Sequence, residues 1–221
     1  MSVRENIKKI KSALPENVTL IAVSKFHPIE AIKEAYDAGQ RIFGESRVQE
    51  LTDKQSALPA DIQWHFIGTL QRNKVKYIAP FIHMIQSIDS IDLLKEVNKY
   101  AAKNHRVIHV LMEVHIANES SKHGFSIDEC YIFFQEKNWE AYPNVNICGL
   151  MGMATYTNDT TQIREEFHSL YKLFNEIRSA GYANNYFTEL SIGMSDDYPI
   201  ALLNGSTMVR IGTSIFGKRT Y

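Results

Sequence analysis

The sequence has little of several features that mark whole classes of protein. It contains only two cysteines, Cys130 and Cys148, and they do not form a Cys-x-x-Cys pair, which argues against a disulfide framework or a cysteine zinc site. No apolar stretch approaches the roughly 20 residues that cross a bilayer, and residues 1–11 lack the apolar segment of a signal peptide. We therefore expect a cytoplasmic protein with reduced, partly buried cysteines and no membrane partner.

An excess of charge of one sign is also missing. The chain has 24 Lys and Arg against 25 Asp and Glu, a net charge of -1, so no global field attracts a polyanion. The best basic patch, Arg72, Lys74 and Lys76, is short, and we expect no nucleic-acid partner. The eight histidines show no His-Glu-x-x-His arrangement, and no metal site is predicted.

Linkers are absent too, because the six prolines are scattered and no Gly/Ser-rich tract divides the 221 residues. With 44% hydrophobic residues, the chain has the composition of a globular protein with a sizeable core. We interpret residues 1–221 as one domain.

A short apolar run, a polar corner and a stretch with helical periodicity recur along the chain, which is the pattern of βα units. The predicted strands are 18–24, 41–43, 63–67, 84–87, 107–114, 145–151, 187–191 and 208–211. The predicted helices are 29–37, 48–55, 73–77, 91–103, 127–137, 161–179 and 199–203, with caps expected at Asp89-Ser90, Ser126 and Asp159.

About eight strands that alternate with helices favour an α/β fold, a single (β/α)8 barrel of the TIM type with an extra N-terminal helix and no C-terminal β-domain. A doubly wound open sheet is the main alternative. The glycine-rich phosphate loop that would support the open sheet is missing, because the first strand leads into Ser24-Lys25-Phe26-His27-Pro28.

In a barrel, the active site lies at the carboxyl ends of the strands, and Lys25 is the most distinctive residue there. A lysine at the mouth of a barrel can become a Schiff-base nucleophile when its surroundings lower its pKa. A solvated lysine at a strand end fits the sequence about equally well. His65, between two aromatic residues of the third strand, is expected to pack or to make one hydrogen bond.

The corners after the last two strands form the second signal. Small hydroxyl residues beside glycine leave backbone N–H groups able to face an anion, and this fold commonly binds phosphate at these loops. Ordinary turns with helix caps are the alternative for either corner alone. Arg210 could contact a phosphate or a ring nitrogen, or it could form a structural ion pair. The first corner contains Ser191, Gly193, Met194 and Ser195, and the second contains Gly212 and Thr213.

Seven segments together resemble the pyridoxal-phosphate homeostasis protein family, which is similar to the N-terminal barrel of alanine racemase. The match covers the chain from about residue 20 to the C-terminus, in order and with few gaps. The segments are 22–25, 43–50, 64–74, 121–124, 149–151, 190–195 and 205–213.

The resemblance implies that pyridoxal 5'-phosphate is the cofactor and that Lys25 forms the internal aldimine with it. It implies that Arg210 faces the pyridine nitrogen. The residues expected around the phosphate are Ser191, Ser195, Gly212 and Thr213, and Gly193 and Met194 share the first corner. Ser46 stands where the family usually has Asn, so we expect it to reach the cofactor less far.

An arginine at the pyridine nitrogen leaves that nitrogen unprotonated, which weakens the electron sink of the cofactor. We therefore expect a monomeric carrier that acts in vitamin B6 homeostasis, without efficient catalysis, and that could pass the cofactor to apoenzymes. The chain also ends soon after its last strand, without the β-domain that supplies the racemase's tyrosine base. A weak amino-acid racemase and a cofactor-free lysine aldolase acting on phosphosugars are the alternatives.

Overall fold

The computed structural model describes residues 2–118 and 123–217 of the chain. Within them, eight parallel strands follow one another around a closed barrel, and the last strand pairs with the first. This confirms the predicted (β/α)8 barrel and removes the open-sheet alternative. The strands are β1 Thr19–Val23, β2 Ile42–Glu45, β3 Gln63–Phe66, β4 Met84–Ile88, β5 Ile108–Glu113, β6 Val145–Met151, β7 Glu189–Ser191 and β8 Met208–Ile211.

Helices alternate with these strands, and the predicted N-terminal helix is present. The helices are α1 Val3–Ala13, α2 Ile29–Asp37, α3 Val48–Ala57, α4 Val75–Ile78, α5 Ile91–Lys103, α6 Ile127–Gln135, α7 Thr160–Ser179, α8 Tyr198–Leu203 and α9 Thr213–Phe216, with 3-10 turns at Arg72–Lys74 and Asn138–Ala141. Helix α9 was not predicted, because four residues are too few to show a helical period.

The predicted helix caps are confirmed. The hydroxyl groups of Ser90 and Ser126 and the carboxylate of Asp159 each accept a backbone N–H from the first turn of α5, α6 and α7, respectively. Such contacts satisfy N–H groups that have no partner within the helix. The local sequence therefore determines where these three helices begin.

Helix α1 begins with a capping box, in which Ser2 and Glu5 satisfy each other's backbone N–H groups. Its apolar face buries Ile7 and Ile10 against the barrel. The amide of Asn6 donates to the carbonyl of Ile215 at 2.9 Å, which ties α1 to α9. The extra helix thus holds the last helix that the structure describes.

Two layers of side chains fill the core. Outward-facing strand residues pack against the helices, and a smaller inner cluster formed by Ile21, Met84, Leu111, Cys148, Met151 and Met208 fills the barrel. Both cysteines are free and buried, which agrees with the sequence prediction. No helix in the described part of the chain is long and apolar enough to cross a membrane.

Polar residues share the barrel interior with the inner cluster. On β8, Met208 belongs to the inner cluster and Val209 to the outer layer, so the side chain of Arg210 points inward because successive strand residues alternate. The same alternation turns His65 on β3, Gln86 on β4 and Ser191 on β7 into the barrel, and all four are buried.

Candidate functional site

A cavity of about 470 Å³ opens at the carboxyl ends of the strands, where barrel enzymes place their active sites. Residues from the ends of β1 and β8 lie at its base, and the loop after β6 and the corner after β7 form its walls. The lining includes Lys25, His27, Met153, Thr155, Tyr156, Met194, Ser195, Asp197, Arg210, Gly212 and Thr213.

The segment that carries Lys25 is fixed by hydrogen bonds to its backbone. The amine of Lys54, on α3, donates to the carbonyl of Ser24 at 2.8 Å, and the backbone N–H of Phe26 donates to Glu50 at 2.6 Å. Phe26 has φ of +66°, a left-handed conformation that is unfavourable for a residue with a side chain. These contacts from α3 hold the turn that presents Lys25 to the cavity.

Lys54 also belongs to a largely buried ionic cluster. We call it the α3 cluster, and its members are Ser24, Glu45, Glu50 and Lys54. The amine of Lys54 lies 2.7 Å from Glu45 and 2.7 Å from Glu50, and the hydroxyl of Ser24 donates to Glu45 at 2.6 Å. Burial raises the pKa of Glu45, although Lys54 and the two hydrogen bonds act in the opposite direction. The second oxygen of this carboxyl, Oε2, is buried and has no hydrogen-bond partner among the described residues.

Arg210 is held differently, by neutral acceptors. Its Nη1 donates to the carbonyl and the hydroxyl of Ser191 at 2.8 and 2.7 Å, and its Nη2 donates to the carbonyl of Gly152 at 2.9 Å. Burial lowers the pKa of Arg210 to about 10, although the charges of Asp197 and Glu113 act to raise it. The guanidinium therefore remains a cation at neutral pH.

Glu113, at the end of β5, is a buried acid near the Arg210 guanidinium, in addition to Asp197. Burial and the nearby charge of Asp89 raise its pKa to about 6, whereas Arg210 and His123 act to lower it. The side chain is 8% exposed. This carboxyl therefore changes charge close to neutral pH.

The corner after β7 depends on a glycine. Gly193 has φ of +95°, and a Cβ at this position would lie 2.6 Å from Cβ of Ala201 on α8. Only glycine permits both this left-handed conformation and the close approach of α8. The carboxylate of Asp197 accepts the backbone N–H of Met194 and closes the turn, which leaves Ser195 at the cavity wall.

The structure brings most of the predicted site residues together. Six of the nine line the cavity, namely Lys25, Met194, Ser195, Arg210, Gly212 and Thr213. Gly193 shapes the corner behind them, and Ser191 lies beneath Arg210 inside the barrel. The cofactor contacts of all these residues remain predictions.

Ser46 lies apart from the six lining residues, after β2 and against Gly68. A Cβ on Gly68 would lie 2.6 Å from Cβ of Ser46, so the two loops touch closely at this point. Its neighbour Arg47 places its guanidinium 4.6 Å from the ring centre of Phe26, which covers the turn beside Lys25. A contact between Ser46 and a cofactor remains a prediction. Ser121 and Lys122, from one of the resembling segments, lie outside the described residues.

Sequence reasoning did not assign a role to several residues that support the site. Neither Lys54 nor Gln86 was among the candidate residues. One signal was available for Gln86, since a polar residue between Ile85 and Ile88 of a buried strand needs a partner. For Lys54, the sequence showed only the i,i+4 spacing from Glu50 on the same helix, because its other acidic partner, Glu45, lies on a different element.

Comparison with protein families places residues 1–220 in the alanine racemase N-terminal domain family. Among curated proteins, the chain is 40% identical over 203 residues to the pyridoxal phosphate homeostasis protein of Aquifex aeolicus, covering 91% of this chain and 87% of that protein. A protein of the same name from Haemophilus influenzae is 36% identical over 234 residues, covering 100% of this chain and 98% of that protein.

A solved structure of PipY from Synechococcus elongatus, described as having PLP bound, is similar over the whole chain. It has a TM-score of 0.87 and 34% identity, and the match covers 98% of this chain and 100% of that one. Alanine racemase from Streptomyces lavendulae matches with a TM-score of 0.79 at 15% identity, over 97% of this chain and 56% of that chain, a likeness of fold alone.

Proposed function

Because the chain belongs to the alanine racemase N-terminal domain family and, within it, to the pyridoxal phosphate homeostasis proteins, we propose that it binds pyridoxal 5'-phosphate and acts in vitamin B6 homeostasis. One observation carries the proposal: Lys25 and Arg210, at the ends of the paired strands β1 and β8, line a single cavity with Ser195, Gly212 and Thr213. The relative described as having PLP bound supports it.

The residues present fit the cofactor group by group. An amine is available for the aldehyde, and a cationic N–H donor is available for the ring nitrogen, which is an acceptor when unprotonated. The two corners with small residues offer hydroxyl and backbone N–H donors to the phosphate. A cavity of about 470 Å³ is of the size that small-molecule sites have.

The amine of Lys25 would hold the cofactor through its aldehyde group, in a condensation that releases water and needs no oxidant or reductant. The α3 cluster fixes the turn before this step, because Lys54 and Glu50 bind the backbone on both sides of Lys25. The attachment limits the free concentration of a reactive aldehyde.

We further propose that the loaded protein turns over amino acids poorly. Pyridoxal phosphate supplies an electron sink that is strongest when its ring nitrogen is protonated. Arg210 keeps its own protons at neutral pH and can only donate, so this sink stays weak. The relatives, which are named homeostasis proteins rather than enzymes, are consistent with this proposal.

The first experiment is the near-visible absorption spectrum of the purified protein with added pyridoxal phosphate, before and after borohydride. We expect a yellow band that borohydride bleaches, with the cofactor mass fixed on the peptide containing Lys25. Lys25→Ala should lack both the band and the mass. Lys33→Ala, which changes an exposed lysine on α2, is the matched control. No band in the native protein would refute the proposal and favour a cofactor-free lysine aldolase.

Pyridoxal without its phosphate tests the phosphate-binding corners. It should bind at least about tenfold more weakly than pyridoxal phosphate if charge-assisted hydrogen bonds hold the phosphate. The difference should shrink in Ser195→Asp, because the new carboxylate repels the phosphate. Equal affinities in the native protein would place the phosphate outside these corners.

Turnover, delivery and assembly have separate tests. Loss of an amino-acid α-deuteron to solvent at an enzymatic rate, dependent on Lys25, would show a racemase-type enzyme in place of a carrier.

We propose that the carrier is a cytoplasmic monomer that passes the cofactor to apoenzymes. If the loaded protein reactivates an apoenzyme faster than it releases the cofactor to a scavenger of free aldehyde, direct transfer is supported. Light scattering would measure the mass of the assembly and so test the monomer.

A further inference from the structure

A single chain of hydrogen bonds crosses the interior of the barrel from Arg210 to His65. The hydroxyl of Ser191 accepts from Arg210 at 2.7 Å and donates to Oε1 of Gln86 at 2.8 Å. Nε2 of Gln86 lies 2.9 Å from Nδ1 of His65. The four residues come from β8, β7, β4 and β3, so the chain joins opposite walls of the barrel.

The structure shows a consistent direction for every bond in this hydrogen-bond chain. A guanidinium can only donate, so Ser191 accepts from Arg210 and has one proton to give. Ser191 donates that proton to Oε1 of the Gln86 amide. The amide nitrogen then faces His65 and donates to Nδ1, which must be the unprotonated ring nitrogen.

The far end of the chain is neutral and enclosed. Burial, with the charges of His83 and His109, lowers the pKa of His65 to about 3, so the ring is uncharged at neutral pH. Its other nitrogen, Nε2, then carries the proton and is buried, with no hydrogen-bond partner in residues 2–118 and 123–217. A protonated His65 would instead present N–H on Nδ1 and could not accept from Gln86.

No carboxylate interrupts this chain. Among the described residues, the acceptors of Arg210 are two carbonyls and one hydroxyl, and they use three of its five N–H donors. The guanidinium therefore has a fixed orientation without a hydrogen-bonded acid to neutralise it. An acid bound directly to it would weaken its ability to donate to a ligand in the cavity.

We propose that Gln86, acting through Ser191, is a positioning residue that fixes the orientation of the Arg210 guanidinium towards the pyridine nitrogen of the bound cofactor. The inference rests on the function proposed above. Gln86 does not line the cavity, so it acts on the cofactor only by holding Arg210 in place. The amide suits this role because it accepts on one side and donates on the other without carrying a charge.

Gln86→Met is the variant that tests the proposal, because methionine has a similar length and lacks both hydrogen-bonding groups. We expect the dissociation constant for pyridoxal phosphate to rise about tenfold, which corresponds to the roughly 1.4 kcal/mol of one hydrogen bond. The pH midpoint of the near-visible band should also move, because the ring nitrogen loses a fixed donor.

Gln40→Met is the matched control. Gln40 is as buried as Gln86, and its amide donates to the carbonyls of Leu20 and Ile42 at 2.8 and 2.7 Å. Neither contact leads to Arg210, so this variant should lose stability while the affinity and the pH midpoint stay within about twofold and 0.2 units of native. Comparing the two variants separates the effect of losing a buried amide from the effect of breaking the hydrogen-bond chain to Arg210.

His65→Gln and Ser191→Ala extend the test if Gln86→Met does not fold. His65→Gln keeps an acceptor for Gln86 and should behave like the native protein, whereas Ser191→Ala removes the link and should resemble Gln86→Met. A folded Gln86→Met with native affinity and a native pH midpoint would overturn the inference. Absence of a band in the native protein would instead overturn the proposed function.

Discussion

Two buried cations lie beside the same cavity, and the protein holds them in opposite ways. Lys54 is bound by two carboxylates in the α3 cluster, whereas Arg210 is bound by carbonyls and a hydroxyl. The first cation is compensated within its own cluster and serves to fix the backbone around Lys25. The second keeps its charge available to the cavity.

The difference shows how one barrel can use one cation to fix the backbone and another to present a charge to the cavity. Breaking a buried ion pair leaves an uncompensated charge, so a substitution in the α3 cluster should lower the stability of the fold. Neutral acceptors fix an arginine almost as firmly, because its planar fork makes several bonds at once. Burial raises the pKa of Glu45 in the α3 cluster and lowers the pKa of His65 on the Arg210 side, so these two groups change stability with pH in opposite directions.

The largest expected effect is a loss of folding stability in acid, and it concerns His65 on the Arg210 side of the comparison. The pKa of His65 is lowered to about 3 in the folded protein from about 6.5 when unfolded, so its contribution to stability is complete above pH 6.5 and is lost as the pH falls towards 3. We expect this residue alone to remove about 4 kcal/mol from the free energy of unfolding by pH 3.

Urea unfolding at a series of pH values would measure this loss. His65→Gln should flatten the acid limb of the curve, and His168→Gln, which replaces an exposed histidine on α7, should leave it as in the native protein. An unchanged acid limb in His65→Gln would mean that His83 and His109 carry the acid sensitivity.

The second prediction breaks the α3 cluster. Lys54→Met removes the cation between Glu45 and Glu50, and we expect a loss of about 3 kcal/mol at pH 7, at the lower end for a broken buried pair because Glu45 can take up a proton. Lys99→Met removes an exposed pair with Glu96 and should cost less than about 1 kcal/mol. Equal losses would contradict a special role for the cluster.

The third prediction sharpens the comparison by removing the titrating acid near Arg210. The pKa of Glu113 is raised to about 6, so the protein binds this proton more tightly when folded, and the stability gained below pH 4.5 is lost as the pH rises through 6. In Glu113→Gln, about 2 kcal/mol of this decline should disappear. A native decline in the variant would assign it to Glu45, whose pKa is also raised by burial.

The smallest expected effect concerns the turn at Lys25. Glu50→Gln keeps an oxygen for the backbone N–H of Phe26 but removes the charge that faces Lys54. We expect a loss of about 1 kcal/mol in stability and slower borohydride trapping at Lys25. Glu30→Gln, on α2, should change neither quantity.

The sequence was sufficient to predict the fold and to select candidate residues, most of which the structure brings to one cavity. Alternating apolar runs and helical periods predicted the barrel, and Ser90, Ser126 and Asp159 marked the starts of their helices. Lys25 and the two corners were identified because residues at the ends of consecutive strands meet at one end of a barrel. The resemblance in seven segments supplied the expected cofactor.

The sequence by itself thus determined the order of the elements and the chemistry at the strand ends, since both depend on local pattern. Only the tertiary structure decided which buried polar groups meet. Gln86 reaches Ser191 across 105 residues, and Lys54 reaches the carbonyl of Ser24 across 30. Such contacts depend on which strands and helices face one another when the barrel closes, and no local periodicity records that.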